Sequence, residues 1–182
     1  VLDAAILAAG EDADEVTVPT NSGVMKVVPV PKKLFVMGGI QNPAPTFYDD
    51  FWMHDPLPAT TWKQISPVGT SWYQREMYNT ALYFKNKIWI FQNAGFGGPA
   101  DLWVTADGKN WLQKIGPVLT GMSFTRHGFS TVAYGGKMYY IGGAFNIFYS
   151  WVHHNDIYTS PDGDTWTQQP DGPWSIRAFG SA

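Results

Sequence analysis

Arginine recurs every 51 residues in this chain, at Arg75, Arg126 and Arg177. Other residues recur in step with it. Trp62, Trp111 and Trp166 stand 49 and 55 residues apart, and Lys33, Lys87 and Lys137, each opening an apolar run, stand 54 and 50 apart. A repeat of about 50 residues constrains the fold more than any local pattern, because each copy is one supersecondary unit that must pack on its neighbours. The fullest copy is 126–166. It reads RHGFSTVAYGGKMYYIGG, then an aromatic stretch, then NDIYTSPDGDTW.

The composition points to β-structure. The 182 residues are 16% aromatic but only 15% charged, and nine Trp, nine Tyr and eleven Phe suit large cross-strand pairs. Nineteen Gly and thirteen Pro fit many short strands joined by tight turns. A net charge of −3 and a pI near 5.7 lack the basic stripe that nucleic acid requires. No run approaches the ~18 apolar residues that span a bilayer. The absence of cysteine excludes disulfides, thiolate metal sites and cysteine nucleophiles in this stretch.

Residues 1–10 read as a short helix or a buried strand, which as it stands has no basic n-region and is not a signal peptide, and 11–15 as an acidic turn. The Val- and Thr-rich residues 16–30 predict one or two strands, with Pro19 and Pro29 at their ends or on an edge. The next unit predicts strands at 33–39, 50–53 and 61–65, with a Pro-rich loop over 41–49. The second predicts strands at 78–84, 88–92, 101–105 and 110–115, and the third at 129–134, 138–141, 156–159 and 165–169. Loops are expected over 93–100 and 144–155. Gly108, Gly135, Gly136 and Gly163 supply the positive φ of tight turns. Each unit is then a four-stranded antiparallel meander, which covers both its faces only by stacking on similar sheets. The expected fold is an all-β propeller of such blades.

These residues resemble the kelch repeat. That pattern has Arg before the first strand, Gly-Gly closing the second, Asp before an aromatic third strand, and Trp in the fourth. Here they are Arg126, Gly142-Gly143, Asp156 with Tyr158, and Trp166. The copy at 75–117 keeps Arg75, Asp101, Trp103 and Trp111 but has Asn93-Ala94 in place of the glycine pair. The copy before it keeps Gly38-Gly39, Asp50, Trp52 and Trp62, with Asn21 or Ser22 where Arg would fall. Residues 160–166, SPDGDTW, also look like a shortened Asp-box turn of the sialidase-type propellers, and 105–111, TADGKNW, like a weaker copy. The implied organisation is a lead-in over 1–23, kelch-like blades at 24–66, 75–117 and 126–170, and a further one starting at 177. Four blades of this size need ~200 residues, and the resemblance implies six or seven. The remaining blades would come from a longer chain or from other copies. The resemblance also implies an extracellular or periplasmic setting.

Strand parity puts the segments at Arg75, Arg126 and Arg177 on one face with the loops after the second strands. His127, His153, His154, Phe145, Phe148, Tyr149 and Trp151 belong to that face. Guanidinium forks bind carboxylates and phosphates, and aromatic rings bind apolar or sugar surfaces. Arg75, Arg126, Arg177, His127, Tyr149 and Trp151 are therefore the candidate binding residues. The alternative for the arginines is to tie one blade to the next through backbone carbonyls. Asp50, Asp101 and Asp156 read as structural hydrogen-bond acceptors at strand starts, and Trp52, Trp62, Trp103, Trp111 and Trp166 as core. His153 and His154 point opposite ways on a strand and lack a third metal ligand, so a surface loop is expected. Residues 95–98 lack the Lys of a phosphate loop, and no nucleophile-base-acid set is in register. No catalytic residue, metal or cofactor is implied. The function expected is non-catalytic binding of a protein segment or a glycan. The alternative is a propeller enzyme acting on acidic sugars, such as a sialate mutarotase or a sialidase. Copper radical oxidases share the blade but need a cysteine-modified tyrosine.

Overall fold

The structure, a computed structural model, describes residues 15–19, 25–29, 33–41, 46–54, 61–69, 72, 81–91, 101–114, 126–147, 150–178 and 180. The regular structure among them is all β-strand, and the pairings are antiparallel. The expectations for 1–10, for 93–100, and for Arg75, Phe148 and Tyr149 lie outside the described residues. No helix among the described residues is long and apolar enough to cross a membrane.

Two compact units divide the chain, Val1–Val36 with Trp52–Gln64, and Met37–Phe51 with Ile65–Ala182. At the start, β1 (Glu15–Pro19) pairs with β2 (Met25–Pro29) from Glu15 opposite Pro29 to Pro19 opposite Met25. Both strands end on a proline, which has no N–H to extend a ladder. The first sheet has the order β3 (Leu34–Gln41), β4 (Thr46–His54), β5 (Trp62–Gln64). Among the described residues it has three strands where four are expected, and 25–29 pairs with β1 instead. The strand β3 also runs through Gly38-Gly39 rather than stopping there, and β4 starts inside the expected Pro-rich loop.

The second sheet is β6 (Ala81–Phe84), β7 (Lys87–Phe91), β8 (Leu102–Thr105) and β9 (Leu112–Lys114), paired in sequence order. The third repeats it with β10 (Ser130–Tyr134), β11 (Lys137–Ile147), β12 (Ser150–Ser160) and β13 (Thr167–Gln169). The registers match: Ile88 faces Thr105 and Val104 faces Leu112 in one sheet, as Met138 faces Ser160 and Thr159 faces Thr167 in the other. Both first hairpins close on two-residue turns of positive φ, Lys85-Asn86 and Gly135-Gly136, the backbone that matches the strand twist.

The turns before β9 and β13 share one hydrogen-bond pattern. Ser160 Oγ accepts from the amides of Asp162 and Gly163, and Asp162 Oδ1 accepts from those of Asp164 and Thr165. Thr105 and Asp107 accept in the same way from 107, 108, 109 and 110. In each, the closing tryptophan, Trp166 or Trp111, donates its indole N–H to the turn glycine's carbonyl. Such side-chain acceptors satisfy amides that a tight turn would leave unpaired.

Each of these turns sits on the preceding sheet. A Cβ at Gly163 would fall 2.2 Å from the Trp89 ring, and one at Gly108 would fall 2.5 Å from the Phe51 ring. Trp166 meets Phe91 edge-on at 5.6 Å, and Trp111 meets Phe51 edge-on at 5.7 Å. Polar ties run alongside. Lys85 Nζ donates to Pro161 O at 2.8 Å, Lys114 pairs with Asp164 at 2.8 Å, and the Val68 amide donates to Lys109 O at 2.8 Å. The main core lies between the second and third sheets and includes Phe84, Trp89, Phe91, Leu102, Phe129, Met138 and Tyr140.

The tryptophans do not all join the core. Trp103 and Trp111 are buried, while Trp52 and Trp166 are partly buried. Trp62 is 43% exposed and packs on His54 within its own sheet at 5.2 Å. Its equivalents Trp111 and Trp166 precede their strands and are anchored in turns, whereas Trp62 lies inside β5.

Candidate functional site

The candidate site lies at the end of the third sheet where β11 joins β12. The sequence predicts a loop over 144–155. The ladder instead resumes past Gly143, with Ala144 opposite His153 and Phe145 opposite Val152. A register shift between Ile141 and Gly143 makes this possible. The bulge needs Gly142 and Gly143, whose φ values are 61° and 92°. A Cβ at 143 would fall 2.9 Å from Phe129 Cβ, and one at 142 would fall 3.1 Å from His154 O. The aromatic and β-branched residues beyond the bulge favour strand, so the hairpin overruns the sheet.

Into this bulge fold the segments that start successive repeats. The backbones of His127 and Ala144 exchange hydrogen bonds at 2.7 and 2.9 Å. Gly143 N donates to Arg177 O, and Arg177 N donates to His154 O, both at 3.1 Å. Arg126, His127, Trp151, His154 and Arg177 therefore gather at one end of the sheet, as strand parity predicts for that end.

Arg126 is only 3% exposed. Its guanidinium takes Asp156 bidentately, at 2.6 and 2.8 Å, and donates to Gly142 O at 3.1 Å. Burial opposes the charge, but the Asp156 bonds outweigh it and hold the Arg126 pKa above its ordinary value. Both partners belong to the third sheet, so this arginine ties its own repeat together and does not bridge to the next. Sequence reasoning missed the pair. The signal was present, since Arg and Asp recur together in the same two repeats. Asp156 lies inside β12, and Asp101, just before β8, accepts from the Trp103 indole at 2.7 Å. Arg177 is exposed, with Nε donating to Ser175 O at 3.0 Å.

The rings form a second layer. Phe145 stacks on His154 at 5.2 Å, and His127 meets Trp151 edge-on at 5.4 Å. Trp151 is 47% exposed. His153 and His154 lie in a strand, not a loop. His153 is exposed and His154 partly buried, as alternation requires. Burial first, and the Arg126 charge second, hold the His154 pKa below its ordinary value. Tyr140, stacked on Phe129 at 4.2 Å, is driven above the phenol range by burial.

No protein-family model and no curated protein matches the chain.

Proposed function

We propose that this chain is a run of kelch-like blades from a β-propeller that binds a glycan without catalysis, at the hairpin end of the third sheet. The supporting observation is the exposed Trp151 ring, braced by His127 on a hairpin that overruns its sheet. An exposed indole offers a flat apolar face with a polar edge, which suits the C–H face of a sugar. Bidentate capture of an acidic peptide by Arg126 would need a free guanidinium fork, and that fork is filled by Asp156. The same engagement weighs against an acidic-sugar enzyme working through Arg126. A ring of blades is supported by the repeated seating of each turn on the preceding sheet, and by the approach of the two first strands, β6 and β10. An extracellular or periplasmic setting is part of the same reading.

The test is a screen of the chain against an oligosaccharide array, followed by calorimetric titration of the hits with wild type and Trp151→Ala. The expected result is binding that weakens at least about tenfold in the variant while its melting temperature stays unchanged. Failure of all oligosaccharides, or equal binding by Trp151→Ala, would overturn the proposal.

A further inference from the structure

Beyond the bulge, strand pairing sorts the residues onto two faces. Alternate residues point opposite ways, and directly paired residues share a side. Gly143 pairs with His154, Ala144 with His153, and Phe145 with Val152. The backbone of His127 pairs with Ala144, and that of Arg177 with His154. His127, Trp151 and His153 therefore lie on one face, where the His127 and Trp151 rings meet. Phe145, His154 and Asp156 lie on the other, together with Arg126, which reaches Asp156. His154 holds the root of the hairpin from that second face. Its ring stacks on Phe145 with the planes 23° apart, and its carbonyl accepts from Arg177 N. The surroundings are tight, since a Cβ at Gly142 would fall 3.1 Å from His154 O and 3.2 Å from Arg177 O.

A proton on this ring would go uncompensated. An imidazolium needs an acceptor at both nitrogens, and His154 Nε2 is buried with no hydrogen-bond partner among the described residues. The charged groups around the ring come from three segments. Arg126, before β10, and His153, on β12, oppose a positive charge there, whereas Asp156, on β12, and Asp171, after β13, favour it. Asp156 is already committed, because both its oxygens hold the Arg126 guanidinium. Asp171 is exposed, where solvent screens it. Arg177, bonded to the His154 carbonyl, is itself a cation and adds no acceptor.

We propose that His154 is a pH-sensitive latch on the overrunning hairpin: once protonated, its ring leaves Phe145 and the Arg126 guanidinium, and the bulge and the strand ends that carry Trp151 open. The sign follows from linkage. A histidine whose folded pKa is depressed stabilises the closed hairpin fully above its ordinary value of 6.5, and that stability is lost as pH falls below it toward the folded value. The turn aspartates respond only at lower pH, below about 4. Ligand on Trp151 would be released in mild acid, because that ring rides on the same hairpin. The release rests on the glycan reading, whereas the opening does not.

Amide hydrogen exchange of the full chain, read residue by residue by NMR and corrected for intrinsic chemical rates, tests the opening. From pH ~7.5 to ~5.5 the protection of the Gly143, Ala144 and Arg177 amides should fall at least tenfold, while that of the β10 amides holds. His154→Phe keeps a ring on Phe145 and cannot take a proton, so its protection should be the same at both pH values. Should that variant fail to fold, His154→Gln serves the same purpose. His127 and His153 share this end of the sheet, and the variants separate their contribution from that of His154. No loss of protection in wild type, or an equal loss in the variants, would overturn the proposal. Calorimetric titration of an oligosaccharide hit at the two pH values reads the release, and weaker binding at the lower pH is expected. A hit held equally well while the amides lose protection would contradict the release. Absence of any hit would count against the glycan reading alone, since the exchange measurement involves no ligand.

Discussion

Adding one methyl group at Gly163 would place it 2.2 Å from the Trp89 ring, at a φ of +78° that side chains rarely adopt. Gly163→Ala should therefore cost about 2–4 kcal/mol, overpacking plus backbone strain. Gly135 has positive φ but open space around its Cβ direction, so Gly135→Ala should cost only about 1 kcal/mol. Urea titration of the two variants checks the contrast, and equal costs would mean that the turn does not seat on Trp89. The turn aspartates predict a pH effect. Amide donors, from Asn110 first, hold Asp107 down from 3.8 to about 2, and Thr165 and Asp164 amides lower Asp162 as well. A carboxylate with a depressed folded pKa stabilises the fold above its unfolded value, and that stability is lost as pH falls through the folded value. The urea midpoint should thus drop between pH ~4 and ~2, and less steeply in Asp107→Asn with Asp162→Asn. The buried Arg126–Asp156 pair acts through the same kind of partnership. Asp156→Ala leaves a buried guanidinium without its counter-ion and should cost about 3–5 kcal/mol. These effects were only partly legible in the sequence. The SPDGDTW spacing pointed to the turn, but which ring the glycine would meet depends on the neighbouring sheet.

At the scale of elements, the strands of the second and third sheets were legible because β-branched and aromatic runs alternate with turn signals. The hairpin over 144–153 was not. Gly142-Gly143 reads as a strand end in sequence, yet the pair forms a bulge through which the ladder continues. Glycine permits both, and the choice is made by the backbones of His127 and Arg177 docking on it. The first sheet's missing fourth strand has a similar origin, since a Val-rich segment between prolines carries no mark of which neighbour it will pair with. Nor could the sequence separate the three repeated tryptophans. Trp111, packed edge-on to Phe51 and Trp72, should cost about 3–5 kcal/mol on truncation to Ala. Trp62→Ala should cost under about 1 kcal/mol, because Trp62 is 43% exposed at the sheet's surface. Thermal or urea unfolding of the pair distinguishes them, and equal losses would contradict the burial difference.

For the whole molecule, the repeat period announced stacked sheets, and the turns of the second and third sheets, each resting on the sheet before it, give that stacking a physical form. Aromatic edge contacts and buried apolar faces hold the second and third sheets together, and their polar ties are exposed and secondary. The hairpin of β11 and β12 runs beyond the other strands of its sheet. The most direct test of this organisation is a nuclear Overhauser spectrum with selectively labelled Trp and Phe. Cross-peaks from Trp166 to Phe91 and from Trp111 to Phe51 are predicted together, because the two contacts are repeats of one another. Trp166 or Trp111 with cross-peaks only to residues of its own sheet would contradict the account.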